Sequence, residues 1–146
     1  MKLPAEEAVK SLRSANQIVR ESEIREPTDF VVDDPRKNQF GGKAVNNGLE
    51  LAAISIVEAE TQGWYRIKLE VRPTKGGMPP KDPVTFYLHP TFAQPVIKRP
   101  VVDNVARLDL LAWGAFTVGA EASDGRRLEL DLAASDIDAP ADFKSR

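Results

Sequence analysis

From Leu49 onward, apolar and polar residues alternate in short runs, and each run stops at a cluster of Gly, Pro, Asn or Asp. A period of two sets one face of a strand against a core and the other in water. The clearest run is Tyr65, Ile67, Leu69 and Val71, interleaved with Arg66, Lys68, Glu70 and Arg72. Its charged face reads as a solvated sheet surface rather than a contact for an acidic partner. Leu49 and Leu51 hold one phase and Ile54 and Ile56 the other, which predicts a bulge near Ala52 or Ala53 if both pairs face the core. Val84, Phe86 and Leu88 predict another strand, residues 95–100 a short edge piece, and Ala106, Leu108 and Leu110 a further strand. Phe116, Val118 and Ala120 can then pair with Leu128, Leu130 and Leu132 across a turn at Ser123, Asp124 and Gly125, where Asp-Gly is a hairpin signal. About seven short strands with no helix between them predict an all-β fold, a two-sheet antiparallel sandwich of immunoglobulin type.

The pattern before these strands is different. Pro4 followed by Glu6 and Glu7 suits a helix start, and Val9, Leu12, Ala15 and Val19 recur at helical spacing. Together they predict an amphipathic α-helix over residues 4–21, which either packs on its own domain or docks a partner. Pro27, Pro35 and the pair Asp33 and Asp34 punctuate the chain that follows. The expected organisation is therefore an N-terminal helix (1–21), a linker (22–39) and a sandwich domain (40–146). The C-terminal tail is polar apart from Phe143, which reads as a pin holding the tail to the domain.

Composition narrows the function. The chain has 146 residues, enough for one domain with a real core, and a net charge of −2 that supplies no electrostatic reason to bind nucleic acid. Cysteine is absent, which removes disulfides, thiol nucleophiles and thiolate metal sites. No stretch approaches the ~18 apolar residues of a membrane span, and the N-terminus turns acidic where a secretory signal needs an apolar run, so a cytoplasmic protein is expected. Phosphate-cradling, dinucleotide and nucleophile-elbow motifs are missing. With one His and no Cys, a zinc site would lean almost wholly on carboxylates, and Asp136 and Asp138 lack the further oxygens that calcium needs; no metal or cofactor is expected. Glu129 and Asp131 share a strand face within about 7 Å, the arrangement of a glycosidase pair. Any alternating L-E-L-D-L-A strand produces such a pair, so the surface reading is preferred and the chain is read as a non-enzyme.

Chemistry concentrates in residues 84–92, V-T-F-Y-L-H-P-T-F, and 110–120, L-L-A-W-G-A-F-T-V-G-A. The chain leaves the first strand where His89, Pro90, Thr91 and Phe92 arrive, so a His, a hydroxyl and an aromatic fall on the sandwich rim. His89 is the chain's sole His, Trp113 is one of its two Trp residues, and Gly114 lets another group approach closely. His89 either stabilises the turn at Pro90 through a backbone hydrogen bond or lines a ligand pocket.

These two segments resemble the YEATS domain, and its prokaryotic branch in particular. Eukaryotic members carry L-H-x-S-F and then G-W-G or G-Y-A; the matches are Leu88, His89, Phe92, Trp113 and Gly114, with Thr91 in the serine place and Ala112 in the first glycine place. L-H-P-T-F, A-W-G-A-F-T-V-G-A and the later L-E-L-D-L-A at 128–133 are more similar still to the prokaryotic pattern. The resemblance runs from about residue 40 to the C-terminus and implies the same sandwich. It also implies a recognition module whose aromatic-walled slot, built from His89, Thr91, Phe92, Trp113 and Gly114, binds an acylated lysine or another small modified group. A neutral acyl amide can lie between aromatic faces while its N–H and C=O find a hydroxyl and a backbone amide; a charged lysine would lose hydration without meeting an anion. Eukaryotic members have a further aromatic where this chain has Glu60, Thr61 and Gln62, and P-P-F where it has R-P-V-V-D-N-V at 99–105. The prokaryotic branch further implies a sensor in systems that respond to phage or other invaders, with an effector protein recruited through residues 4–21. The alternative is a structural or adaptor protein that acts through its helix or a sheet edge and uses the rim residues only for packing.

Overall fold

The alternating runs become strands. The computed structural model describes residues 34–145 apart from residue 135. In chain order the strands are β1 (Val45–Asn46), β2 (Leu49–Glu58), β3 (Tyr65–Pro73), β4 (Val84–Tyr87), β5 (Val96–Arg99), β6 (Val101–Val102), β7 (Val105–Ala112), β8 (Thr117–Ala122) and β9 (Arg127–Asp131). A short helix, α1 (Ala141–Lys144), follows. The helix expected over 4–21 lies outside the described residues, as does most of the stretch read as linker.

Two antiparallel sheets result, one in the order β1-β2-β3-β7-β6 and the other β5-β4-β8-β9. Leu49, Leu51, Ile67, Leu69, Val71, Leu108 and Leu110 of the first meet Val84, Phe86, Val118, Ala120, Leu128 and Leu130 of the second in one core. The chain changes sheet at Pro100, between β5 and β6, where a residue without an N–H ends the edge strand. The β8–β9 hairpin has the expected register, Val118 opposite Leu130 and Ala120 opposite Leu128, and the Leu132 N–H donates to the Phe116 carbonyl at 3.1 Å. Its turn differs in detail from a tight Asp-Gly pair. Only Gly125 adopts a positive φ, 93°, while the Gly125 N–H donates to the Ala122 carbonyl and the Ala122 N–H to that of Arg126, which is a longer loop ending in one left-handed residue.

The phase change in β2 is also real, with one correction. Pairing with β3 shifts between Ala53 and Ser55, so Ile54 is the inserted residue and lies 45% exposed, while Ile56 turns inward. A bulge leaves its extra residue unpaired, and only one of the two isoleucines can then share the face of Leu49 and Leu51. At the C-terminus Phe143 is fully buried, its ring edge-on to Tyr65 at 5.2 Å, and its carbonyl accepts the Ala115 N–H at 3.1 Å. The tail is thus tied to the loop between β7 and β8.

The outer faces of the sheets are finished differently. On the five-stranded sheet, Arg72 pairs with Glu50 at 3.2 Å and Glu70 at 3.6 Å, and Glu70 pairs with Arg107 at 3.1 Å, a ladder of neutralised charges in water. On the four-stranded sheet, residues 34–42 lie flat as a strap. Gly119 has no side chain there, and a Cβ at that position would fall 2.3 Å from Cδ2 of Phe40. The missing side chain is the seat for the Phe40 ring, which also stacks on Tyr87 at 4.7 Å. Glu129, 6% exposed, receives the backbone N–H groups of Asn38, Phe40 and Gly42 at 2.8, 3.0 and 3.2 Å. Backbone bonds continue the closure, because the Glu129 N–H donates to the Lys43 carbonyl and the Leu51 N–H to that of Ala44.

At the end of the sandwich away from His89, Arg126 gathers separate loops. Its Nη1 donates to the carbonyls of Asn47 at 3.3 Å and Met78 at 3.0 Å, its Nη2 to that of Pro79 at 2.7 Å, and its Nε to Asp124 at 3.0 Å.

Candidate functional site

Three loops meet at the opposite end: residues 59–64 between β2 and β3, 88–95 between β4 and β5, and 113–116 between β7 and β8. The 88–95 loop is closed at its base, where the Leu88 N–H donates to the Pro95 carbonyl at 2.6 Å. Inside it the Phe92 N–H donates to the His89 carbonyl at 3.0 Å, a four-residue turn with Pro90 at its second position. The His89 ring is fixed by that turn, since its Nδ1 accepts the Thr91 N–H at 3.2 Å and stands 2.9 Å from Thr91 Oγ1. An Nδ1 facing an amide N–H carries no proton, so the proton of the neutral ring sits on Nε2. The His89 ring thus holds the turn through a backbone hydrogen bond, and the Thr91 hydroxyl stands beside the same nitrogen.

Phe92 is 2% exposed and meets the Phe116 ring at a centroid distance of 5.2 Å with planes tilted by 59°. Such an aromatic pair contributes roughly 0.5–1.5 kcal/mol beyond its burial. It is also a contact between the two rim segments, one aromatic from each. His89 is 5% exposed and Gly114 is buried, whereas Thr91 and Trp113 keep part of their surface in solvent. The five candidates thus divide into a supporting layer of His89, Phe92 and Gly114 and an accessible layer of Thr91 and Trp113.

The third loop carries no aromatic at residues 60–62. Glu60 instead ion-pairs with Arg66 of β3. Its carboxyl is held below the usual range by a backbone hydrogen bond and, second, by the Arg66 guanidinium. A different aromatic stands at the end of this loop. Trp64 is 4% exposed, and the β3–β7 ladder ends at Tyr65 opposite Ala112, so the residues next in line are Trp64 and Trp113. The alternating run that begins at Tyr65 does not single out Trp64, and only the β3–β7 register brings it into line with Trp113.

The carboxylate pair considered for hydrolysis has other employment. Glu129 is occupied by the strap's three N–H groups, and Asp131 accepts the Ala133 N–H at 2.9 Å. Among the described residues no group of three or more His, Cys, Asp or Glu is arranged to hold a metal ion. Among the same residues no helix is long and apolar enough to cross a membrane.

Residues 65–135 match the family model of the prokaryotic YEATS domain, a span that includes β3 through β9 and both rim segments. Over that span the chain is similar to a prokaryotic YEATS domain. Among solved structures it is similar to the Yaf9 YEATS domain recognizing an H3K122suc peptide, with 18% identity and a TM-score of 0.38, over 57% of this chain. The chain spans 64% of that domain's length. No match was found among curated proteins. The strap at 34–42 and β1 and β2 lie before the matched span, so Phe40 is unmatched while Gly119 and Tyr87, which seat it, are matched.

Proposed function

We propose that this YEATS-like domain is a recognition module that takes a neutral acylated lysine side chain, or a small group of like chemistry, at the rim formed by His89, Thr91, Phe92, Trp113 and Gly114. The observation that carries this reading is the division of the rim into layers. His89 draws the Thr91 hydroxyl proton toward Nδ1, which turns the Oγ1 lone pairs outward as an acceptor for an amide N–H, and Trp113 supplies a partly open aromatic face. Phe92 and Phe116 lock the two segments behind them. The family match supports a binding role over a catalytic one. Cytoplasmic placement, service in a prokaryotic defence system and recruitment of an effector through residues 4–21 belong to the same proposal.

Calorimetry with acetylated, crotonylated and unmodified lysine peptides tests it. The acylated peptides are expected to bind and the unmodified one to be rejected. Trp113→Ala is expected to weaken binding about tenfold or more with a small change in melting temperature, because the ring is only partly buried. Equal or absent heats for all three peptides would overturn the acyl-lysine reading.

A further inference from the structure

The strap does more than cover a sheet. Its first residues bind the roots of both rim loops. Asp34 accepts the Thr117 N–H at 3.0 Å and the Thr117 hydroxyl at 2.5 Å, and Thr117 directly follows Phe116. Arg36 donates from Nε to the Leu88 carbonyl at 3.0 Å, and Leu88 directly precedes His89. The Arg36 guanidinium also lies 5.6 Å over the Tyr87 ring. These sites are neighbours in register. The β4–β8 ladder pairs Tyr87 with Gly119, so two steps further along the same strands His89 stands in line with Thr117.

The ladder itself stops before the rim. Beyond Tyr87 and Gly119 the β4–β8 pairing is not continued, although β8 itself runs on to Thr117, and there Asp34 and Arg36 bind the chain on the two sides. Thr117 is fully buried, so the charge-assisted bonds to its N–H and O–H form away from competing water. Farther along, the strap is anchored independently by Phe40 and Glu129. A change at Asp34 or Arg36 therefore acts on the rim without releasing the rest of the strap.

We propose that Asp34 and Arg36 are positioning residues of the ligand rim: they fix the base of the 88–95 and 113–116 loops and so set the His89–Thr91 geometry and the attitude of Trp113. As a statement about ligand binding this rests on the reading of the rim given above; as a statement about geometry it does not. Neither residue touches the ligand group.

The test uses the full chain and separates the two levels. Because the chain has a single His, its imidazole 15N signals report His89 without ambiguity. Without any ligand, Asp34→Ala and Arg36→Ala are expected to shift the His89 Nδ1 signal and the Trp113 indole N–H signal, and to leave amides of Leu69 and Val71 in place. Glu129→Gln, which loosens the strap at its other anchor, is expected to lower the melting temperature without moving His89, and Arg36→Lys to restore the wild-type signal in part. Thr117→Val, which removes only the hydroxyl bond, gives a milder form of the Asp34 effect should Asp34→Ala fail to fold. Affinity for the crotonylated lysine peptide is expected to fall about five- to tenfold in Asp34→Ala and Arg36→Ala. Unmoved His89 signals in these variants, or equal shifts in Glu129→Gln, would overturn the positioning role. His89 shifts in these variants, together with a wild-type chain that binds neither acylated peptide, would instead sink the ligand reading and leave the positioning role standing.

Discussion

The outer faces of the two sheets begin from the same alternating pattern and end in opposite conditions. On β3 and β7 the outward residues are long and charged, they neutralise one another through Glu50, Arg72, Glu70 and Arg107, and water covers them. On β4, β8 and β9 the outward residues include Tyr87, Thr117, Gly119 and Glu129, and residues 34–42 cover them. The difference lies in what each face leaves unfinished. A row of paired charges asks for nothing more, whereas a bare glycine beside an aromatic and a carboxylate between leucines offers an apolar seat and an acceptor for backbone N–H groups. The strap answers both.

The largest break in that contrast is expected from Phe40→Ala, which empties the seat over Gly119 and Tyr87. A loss of about 3 kcal/mol in urea unfolding is expected, typical of a vacated buried aromatic. The complementary change, Gly119→Val, fills the seat from below and should displace Phe40 at a cost of about 1–3 kcal/mol. Next comes Glu129→Gln. An amide offers one acceptor where the carboxylate offers two, so one or more of the N–H groups of Asn38, Phe40 and Gly42 loses its partner. The expected cost is about 1–3 kcal/mol, with faster hydrogen exchange at those three amides and unchanged exchange in β3.

Acid sharpens the comparison at the hairpin of the covered sheet. Asp124 is held below its ordinary value of 3.8, first by the side-chain hydrogen bond from Arg126. A carboxyl lowered in the fold contributes stability that is complete above the unfolded value and disappears as pH falls through the folded one. Stability measured downward from pH 4 should therefore decline less in Asp124→Asn than in the wild type. The smallest effect is expected from Arg107→Ala on the charged face, below about 1 kcal/mol and fading in ~1 M salt, as for other exposed ion pairs.

Much of this was legible from the alternation. Tyr65 to Val71, the pairing of Val118 with Leu130, and the burial of Phe143 all follow from period-two runs and an isolated aromatic, signals that local sequence carries in full. The rim segments were legible too, as the points where those runs stop, and the family match covers them. The strap was not. Its contacts are carboxylates taking backbone N–H groups and one ring on a glycine, and none of these has a period. Leu128, Glu129 and Leu130 read as two inward residues around one outward residue, and they are; what the pattern omits is that the outward residue is also buried. Gly119 between Val118 and Ala120 was the available hint, since a glycine inside a strand often marks the approach of another group. The division of the rim escaped for a related reason: Phe92 is buried against Phe116, which meets it only after the sandwich closes.

Arg126 carries a practical consequence for anyone who would cut or extend this domain. The stretch around Gly76 and Met78, rich in glycine and proline with Met78 63% exposed, has the composition of a proteolytic nick site or a point for insertion. Yet a protease must draw an extended segment into its cleft, and here the carbonyls of Met78 and Pro79 are clasped by a side chain from a different hairpin, together with that of Asn47. A loop with the composition of a graft site is therefore clasped from outside, and a tag or fused domain placed there would disturb the Arg126 contacts to three carbonyls.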